Sequence, residues 1–176
     1  MQRSTPTSRN LTDMDAVDYY NTIKDSYEAL YSMEQEGKID FLISLVKPKR
    51  KHLILDVGAG SGILERKLKK EKIIALEPSK LIDDLAENKP KNITIIRKRI
   101  LDFHTTKKFD IIFCVTVLQD MKPSERQEAL DSLFKMCKKG GKIVISVLGE
   151  SNIDLSSLHP DKSGEIENDR YYIFEN

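Results

Sequence analysis

The sequence has 176 residues, of which 39% are apolar and 32% charged, a length and balance suited to one globular domain with a heavily charged surface. A net charge of +1 points to neither an acidic nor a basic partner for the chain as a whole, and two cysteines, Cys114 and Cys137, set in apolar patterns far from any CxxC spacing, argue against a disulfide framework and against a zinc site. No run reaches the roughly 18 apolar residues of a membrane span, and the opening MQRSTPTSRN lacks the apolar segment of a signal peptide, so the expected location is the cytoplasm, away from membranes.

Residues 1–12 are polar, contain Pro6 and read as a disordered tail ahead of a single domain over 13–176. From Asp13 the pattern turns helical: Val17, Tyr20, Ile23, Tyr27, Leu30 and Tyr31 recur at spacings of three and four. Gly37 is a candidate interruption, a second helical face runs from Ile39 to Val46, and Pro48 stops it. The chain then alternates. A first strand is expected over 52–57, a helix from Gly62 to Lys70, a second strand over 72–77 and a helix from Ser79 to Asn88. A third strand follows over 92–100, a fourth over 109–117, a helix from Pro123 to Lys138 with Gly140 as its stop, and a fifth strand over 142–148. Short Ile- and Val-rich strands separated by helices predict a parallel sheet covered on both faces, wound by right-handed crossovers into a doubly wound, Rossmann-like α/β fold. The 28 residues after Leu148 are acidic and offer one plausible strand at 171–174.

Charge is uneven along the chain. Glu150 to Asn176 holds seven acids and two bases, and basic clusters recur at 47–51, 67–72, 97–99 and 138–142. Solvated faces account for such clusters, and a nucleic-acid footprint stays open without being indicated.

The segment LILDVGAGSG (53–62) carries most of the functional information. Glycines at 58, 60 and 62 stand directly between a strand and a helix, where an open α/β sheet binds its ligand and where Gly permits a sharp turn and close approach of a ligand to the main chain. A dinucleotide fingerprint would need its third glycine at position 63, which is Ile63. That spacing argues against a nicotinamide-dependent oxidoreductase. Asp56 adds a carboxylate suited to a cationic amino group. Glu77 ends the second strand 19 residues after Gly58 and, with Pro78 beside it, is placed to accept two ribose hydroxyls.

G-x-G-x-G preceded by Asp56 resembles motif I of the class I S-adenosylmethionine (SAM)-dependent methyltransferases. The resemblance extends over FDIIFCVTVLQDM and KKGGKIVISV, similar to motifs IV to VI. It includes the opening YNTIKDSYEALYSMEQEGK, similar to the N-terminal helix of small, type 11 methyltransferases. It implies SAM as cofactor and a sheet of order 3-2-1-4-5, with N-terminal helices and a C-terminal antiparallel part that in this chain looks shortened. It further implies that Asp56, Gly58, Ala59, Gly60 and Gly62 hold the amino-acid part of SAM and that Glu77 takes the ribose. Val115 to Leu118, with Thr116 among them, would lie under the sulfonium, and Tyr27 and Tyr31 would cover it; plain helix core is the other reading of these tyrosines.

Three departures stand out. Arg99 occupies the place where many relatives carry an adenine-binding Asp, leaving Asp102 or the Ile100 N–H for that role. The substrate end is reduced or cut short. No signature of an acceptor class appears: FCVT replaces an NPPY-like element, and Cys114 lacks the preceding Pro of a pyrimidine-carbon methylase nucleophile and reads as core. Asp120 is the one candidate acid beside the acceptor, with a helix cap as its alternative. His52, His104 and His159 are scattered and read as surface residues. The resulting expectation is methyl transfer to a small molecule, an RNA or a protein. The alternative is a SAM-binding or interaction module of the same fold without activity. The third strand, expected at the sheet edge, offers a place for a small zinc-binding activator of the kind some related tRNA- and protein-modifying methyltransferases use.

Overall fold

The computed structural model describes residues 15–176, apart from the side chains of residues 27–32. The tail expected over 1–12 lies outside the described residues, as do the side chains of Tyr27 and Tyr31. Seven strands form one sheet: β1 (Leu53–Val57), β2 (Lys72–Leu76), β3 (Ile93–Ile96), β4 (Phe109–Val115), β5 (Cys137–Leu148), β6 (Lys162–Ile166) and β7 (Asp169–Glu175). Their order is β3-β2-β1-β4-β5-β7-β6. The first five are parallel, β7 runs antiparallel to β5, and β6 antiparallel to β7. The doubly wound sheet read from the sequence is therefore present, with β3 at one edge.

Helices α1 (Ala16–Val46), α2 (Ile63–Lys67), α3 (Asp83–Glu87) and α4 (Pro123–Met136) connect and cover the strands. Adjacent residues of each central strand point to opposite faces, so Ile54 and Leu55 feed different cores. Ile54, Ile73, Phe113 and Val144 pack with Leu42 and Val46 of α1 and Leu64 of α2. Leu55, Ile112, Ile143 and Phe174 pack with Leu130 and Leu133 of α4.

Helix α2 is shorter than the expected 62–70, and four further details differ from the sequence reading. First, α1 is one helix of 31 residues, not two. The Asp15 side chain caps it by accepting from the Val17 N–H, and it ends where Lys47 turns left-handed ahead of Pro48. Gly37 does not interrupt it: a Cβ there would lie 3.2 Å from Glu167 Oε1, so the glycine marks a close approach between α1 and the turn joining β6 to β7. A single Gly costs a helix only about 1 kcal/mol, which 30 other residues absorb. Second, β3 stops at Ile96, because Arg97 turns out to an ion pair with Asp83 and residues 100–102 form a 3-10 turn. Third, α4 ends at Met136, and Gly140 lies inside β5. Cys137 pairs with Phe109 and Lys142 with Ile111, so residues 138–141 bulge opposite Asp110 alone. Fourth, the C-terminal antiparallel part holds two strands rather than one. The missed strand, KSGEI, is an exposed edge with a single apolar residue, and gives no alternation to read.

Among the described residues no helix is long and apolar enough to cross a membrane. No group of His, Cys, Asp and Glu side chains among them could hold a metal ion.

Candidate functional site

A cleft opens at the C-terminal ends of β1, β2 and β4, the place where an open α/β sheet binds ligands. The glycine loop, Glu77 and Pro78, Ile100, the stretch from Val115 to Val117 and Asp120 line it, and α1 borders it through Ala16, Val17, Tyr20, Gln35 and Ile39.

The loop conformation explains its glycines. Gly58 has φ 74° and Gly62 φ 84°, in the left-handed region that disfavours side chains. A Cβ on Gly58 would lie 2.4 Å from Val117 Cγ2, and one on Gly62 would lie 2.5 Å from Leu85 Cδ2. The loop is thus pressed against the turn after β4 on one side and α3 on the other. It hangs from β2 as well, since the Gly58 and Ala59 N–H groups both donate to Leu76 O.

Glu77 is almost fully buried, yet borders the cleft. Its Oε2 accepts from the Gly60 N–H at 2.8 Å and its Oε1 from the Ser79 N–H at 2.8 Å. Each carboxylate oxygen has a further lone pair. The side chain is fixed before any ligand arrives, and it ties the glycine loop to the end of β2.

Beneath the loop lie two buried acids. Burial, then the charge and hydrogen bond of Glu65 and the charge of Glu77, hold the Asp56 carboxyl well above the usual range. Burial pushes Glu65 up to about 7, against the opposing effects of its backbone hydrogen bond, Asp56 and Arg66. Only Asp56 of the two reaches the cleft. Sequence reading missed Glu65. Its signal was an acid at a position of α2 between Leu64 and Leu68, both of which are buried.

The floor of the cleft is strained. Thr116 has φ 55°, an outlier for a β-branched residue. Its N–H donates to Ser146 O at 2.9 Å and its hydroxyl to Val115 O at 2.8 Å, so β5 holds the turn in place. Backbone strain of about 1–3 kcal/mol persists only where the surroundings impose it, and such positions cluster at working sites. Next to it, the Tyr20 hydroxyl donates to Asp120 Oδ2 at 2.7 Å, closing α1 onto the loop after β4. Tyr20 belongs to the same helical face as Tyr27 and Tyr31, and could have been singled out with them.

Of the residues expected at the site, Asp56, Gly58, Ala59, Gly60, Glu77, Pro78, Ile100, Thr116 and Asp120 border one cleft. Gly62 lies behind it as the buried N-cap of α2. Asp102 is exposed and is not among the cleft's lining residues, whereas Lys98 and Arg99 are. Cys114 is buried in the sheet, and burial together with the Asp56 charge pushes its thiol up to about 12. It is a core residue, held in the unreactive thiol form.

A family model described as a methyltransferase domain matches residues 54–141, half of the chain and all of the glycine loop. The chain belongs to this family, and with it to the class I SAM-dependent methyltransferases. It is 26% identical over 167 residues to an uncharacterized methyltransferase of Alkaliphilus oremlandii, covering 92% of this chain and 76% of that one. It is 29% identical over 144 residues to malonyl-[acyl-carrier protein] O-methyltransferase 1 of Ilyobacter polytropus, covering 74% of this chain but only 53% of that one. Among solved structures it resembles magnesium protoporphyrin IX methyltransferase from Synechocystis with bound SAM, with a TM-score of 0.75 at 13% identity over 97% of this chain and 98% of that one. At that identity the likeness shows the fold. The neighbour's near-equal length agrees with the two-stranded C-terminal hairpin: the sheet of this methyltransferase extends to β6.

Proposed function

We propose that the cleft binds SAM and that the chain transfers its methyl group to an acceptor entering over Thr116 and Asp120. The observation that carries this reading is Glu77, a carboxylate pre-fixed at the end of β2 by two backbone N–H groups and bordering a glycine-lined cleft. The chemistry of the other residues fits the cofactor. The Asp56 carboxyl suits a cationic amino group, Ile100, Val115 and Val117 suit an adenine and thioether, and Glu77 suits ribose hydroxyls. The exposed position of Asp102 favours the Ile100 N–H, of the two alternatives, for adenine recognition.

SAM supplies a methyl group on a sulfonium, a neutral and good leaving group once displaced in line. The protein's own task is then to hold two reactants aligned and dry, an effect that can supply roughly 7–11 kcal/mol. Glu77 and the glycine loop fix one reactant. Thr116 and the Tyr20–Asp120 pair shape the approach of the other. Asp120 is the carboxylate placed to take a proton from an acceptor that must lose one, and Tyr20 orients it. The acceptor can be a small molecule, an RNA or a protein. The exposed edge of β3 supports one further element, a small zinc-binding activator added there; full activity of the purified monomer would remove it.

The test is titration calorimetry with SAM and with S-adenosylhomocysteine on wild type and Glu77→Ala. One saturable site, weakened about 10- to 100-fold in the variant, is expected for loss of hydrogen bonds to a charged group. No binding of either compound to the folded wild-type chain would overturn the reading.

A further inference from the structure

Glu65 has no place in the scheme above, yet its environment is unusual. Both its carboxyl oxygens are fully buried, and neither is satisfied by an N–H or hydroxyl of another residue. Its neighbour is the carboxyl of Asp56, itself buried at the end of β1, and each carboxyl acts on the proton affinity of the other. Two buried carboxyls left unsatisfied can satisfy each other only by sharing a proton.

Among the described residues no cation is ion-paired with either carboxyl, and of the positive charges only Arg66 acts on Glu65. Glu77 on the β2 side adds a third acid near it, and β4 contributes only the neutral Cys114 thiol. On α2 itself, Arg66 spends a guanidinium N–H on Ser61 O and offsets only part of the burial. From α1, Lys38 is paired with Asp169, and Asp40 with Lys67. On α3, Asp83 is held by Lys24 and Arg97. A buried acid cluster left without a positive partner, one member of which reaches the cleft, is built to receive a cation.

We propose that Asp56 and Glu65 act as one proton-sharing acid that exchanges a proton for the cationic amino group of the cofactor, with Glu65 as the positioning residue behind Asp56. The inference rests on the SAM-binding reading. Before binding, at mildly acid pH, both carboxyls carry a proton and the pair is neutral. Binding of an ammonium group against Asp56 releases one proton to solvent. The remaining proton stays on Glu65, which donates it to the ionised Asp56 and aims that carboxylate at the cleft.

The experiment is calorimetry with S-adenosylhomocysteine, which keeps the amino group but lacks the sulfonium charge. It is run at pH 6 and pH 8 in buffers of different ionisation enthalpy, so that protons released per ligand are counted directly. Wild type should release close to one proton at pH 6 and far less at pH 8, with affinity rising up to tenfold per pH unit below about 7. Glu65→Gln keeps a donor facing Asp56 but cannot be charged. It should bind at pH 8 within about threefold of wild type and still release close to one proton at pH 6, from Asp56. Glu65→Leu, which folds without the buried acid but offers no donor, should lose about tenfold in affinity at pH 8. Wild type that binds without releasing a proton at pH 6 would overturn the proposal, as would Glu65→Gln with the tenfold loss expected of Glu65→Leu, or Glu65→Leu with wild-type affinity. Wild type that does not bind at all would overturn the cofactor reading instead.

Discussion

The described residues bury charge at the start of β7 and at the end of β1, and the two places are treated in opposite ways. At the start of β7, Asp169 meets Lys38 of α1 at 2.7 Å, both side chains wholly buried, and Ser146 adds a hydrogen bond to the same carboxylate. At the end of β1, Asp56 meets Glu65, and among the described residues neither has an ion-pair partner, Arg66 offsetting only part of the burial. The first site balances its charges and joins the ends of the described chain, holding α1 against the C-terminal hairpin. The second leaves its charge to be balanced from outside. Buried charge with an internal partner is architecture; buried charge without one is a binding site waiting for its counter-ion.

The largest expected effect tests the architectural half. Lys38→Met leaves Asp169 buried without its cation and should cost about 3–5 kcal/mol in urea unfolding followed by circular dichroism. Lys38→Met combined with Asp169→Leu should recover most of that loss, since a buried pair removed whole is often neutral. Glu65→Leu, made at the other site, should be neutral or stabilising at pH 8. Equal losses at Lys38 and Glu65 would erase the distinction between the two sites.

The second effect is the pH dependence of folding. Glu65 is raised from 4.5 to about 7 in the folded chain, so the folded state holds its proton more tightly than the unfolded state does. That stabilisation is complete below pH 4.5 and is lost as pH rises through about 7. It should amount to about 3 kcal/mol, and the raised Asp56 carboxyl continues the decline at higher pH. Glu65→Gln should flatten the decline between those two values relative to wild type. The Lys38–Asp169 site is less simple. Burial outweighs Lys38 in setting Asp169, which is itself raised, so the salt bridge does not strengthen with pH as an exposed one would.

What the sequence made legible follows from the same physics. Periodicity and glycine spacing are local, so β1, β2, β4 and the loop from Gly58 to Gly62 were readable, and Glu77 with them. Features that depend on partners distant in sequence were not. Lys38 looks like any surface lysine of a helix until Asp169 is brought beside it. KSGEI becomes a strand only because β7 offers it an edge. Asp102 does not border the cleft as its motif suggests, because residues 100–102 wind into a 3-10 turn that leaves its side chain exposed. Glu65 was passed over because an acid in the first turn of a helix is ordinarily a surface feature; here the helix is buried on that side.

The glycine loop sets the third expected effect. Gly58→Ala combines a left-handed residue with a Cβ 2.4 Å from Val117 Cγ2, and the branched Val117 has little room to turn away. It should destabilise the fold by about 2 kcal/mol and weaken S-adenosylhomocysteine binding. A variant that is as stable as wild type but fails to bind would place the cost in the ligand contact rather than in the turn.

The smallest effect belongs to Thr116. Its left-handed backbone is unfavourable for a β-branched side chain, so Thr116→Gly should relieve strain and raise stability by about 1 kcal/mol, measured by urea unfolding. The same change frees the turn that supports Asp120 and Val117 at the edge of the cleft. If the strain serves alignment, the more stable variant should transfer methyl groups more slowly while binding S-adenosylhomocysteine as before. That pairing, stability gained and rate lost at one residue, would put Thr116 on the functional side of the division that separates Glu65 from Lys38. A gain in stability with an unchanged rate would make its backbone a consequence of the Ser146 contact alone.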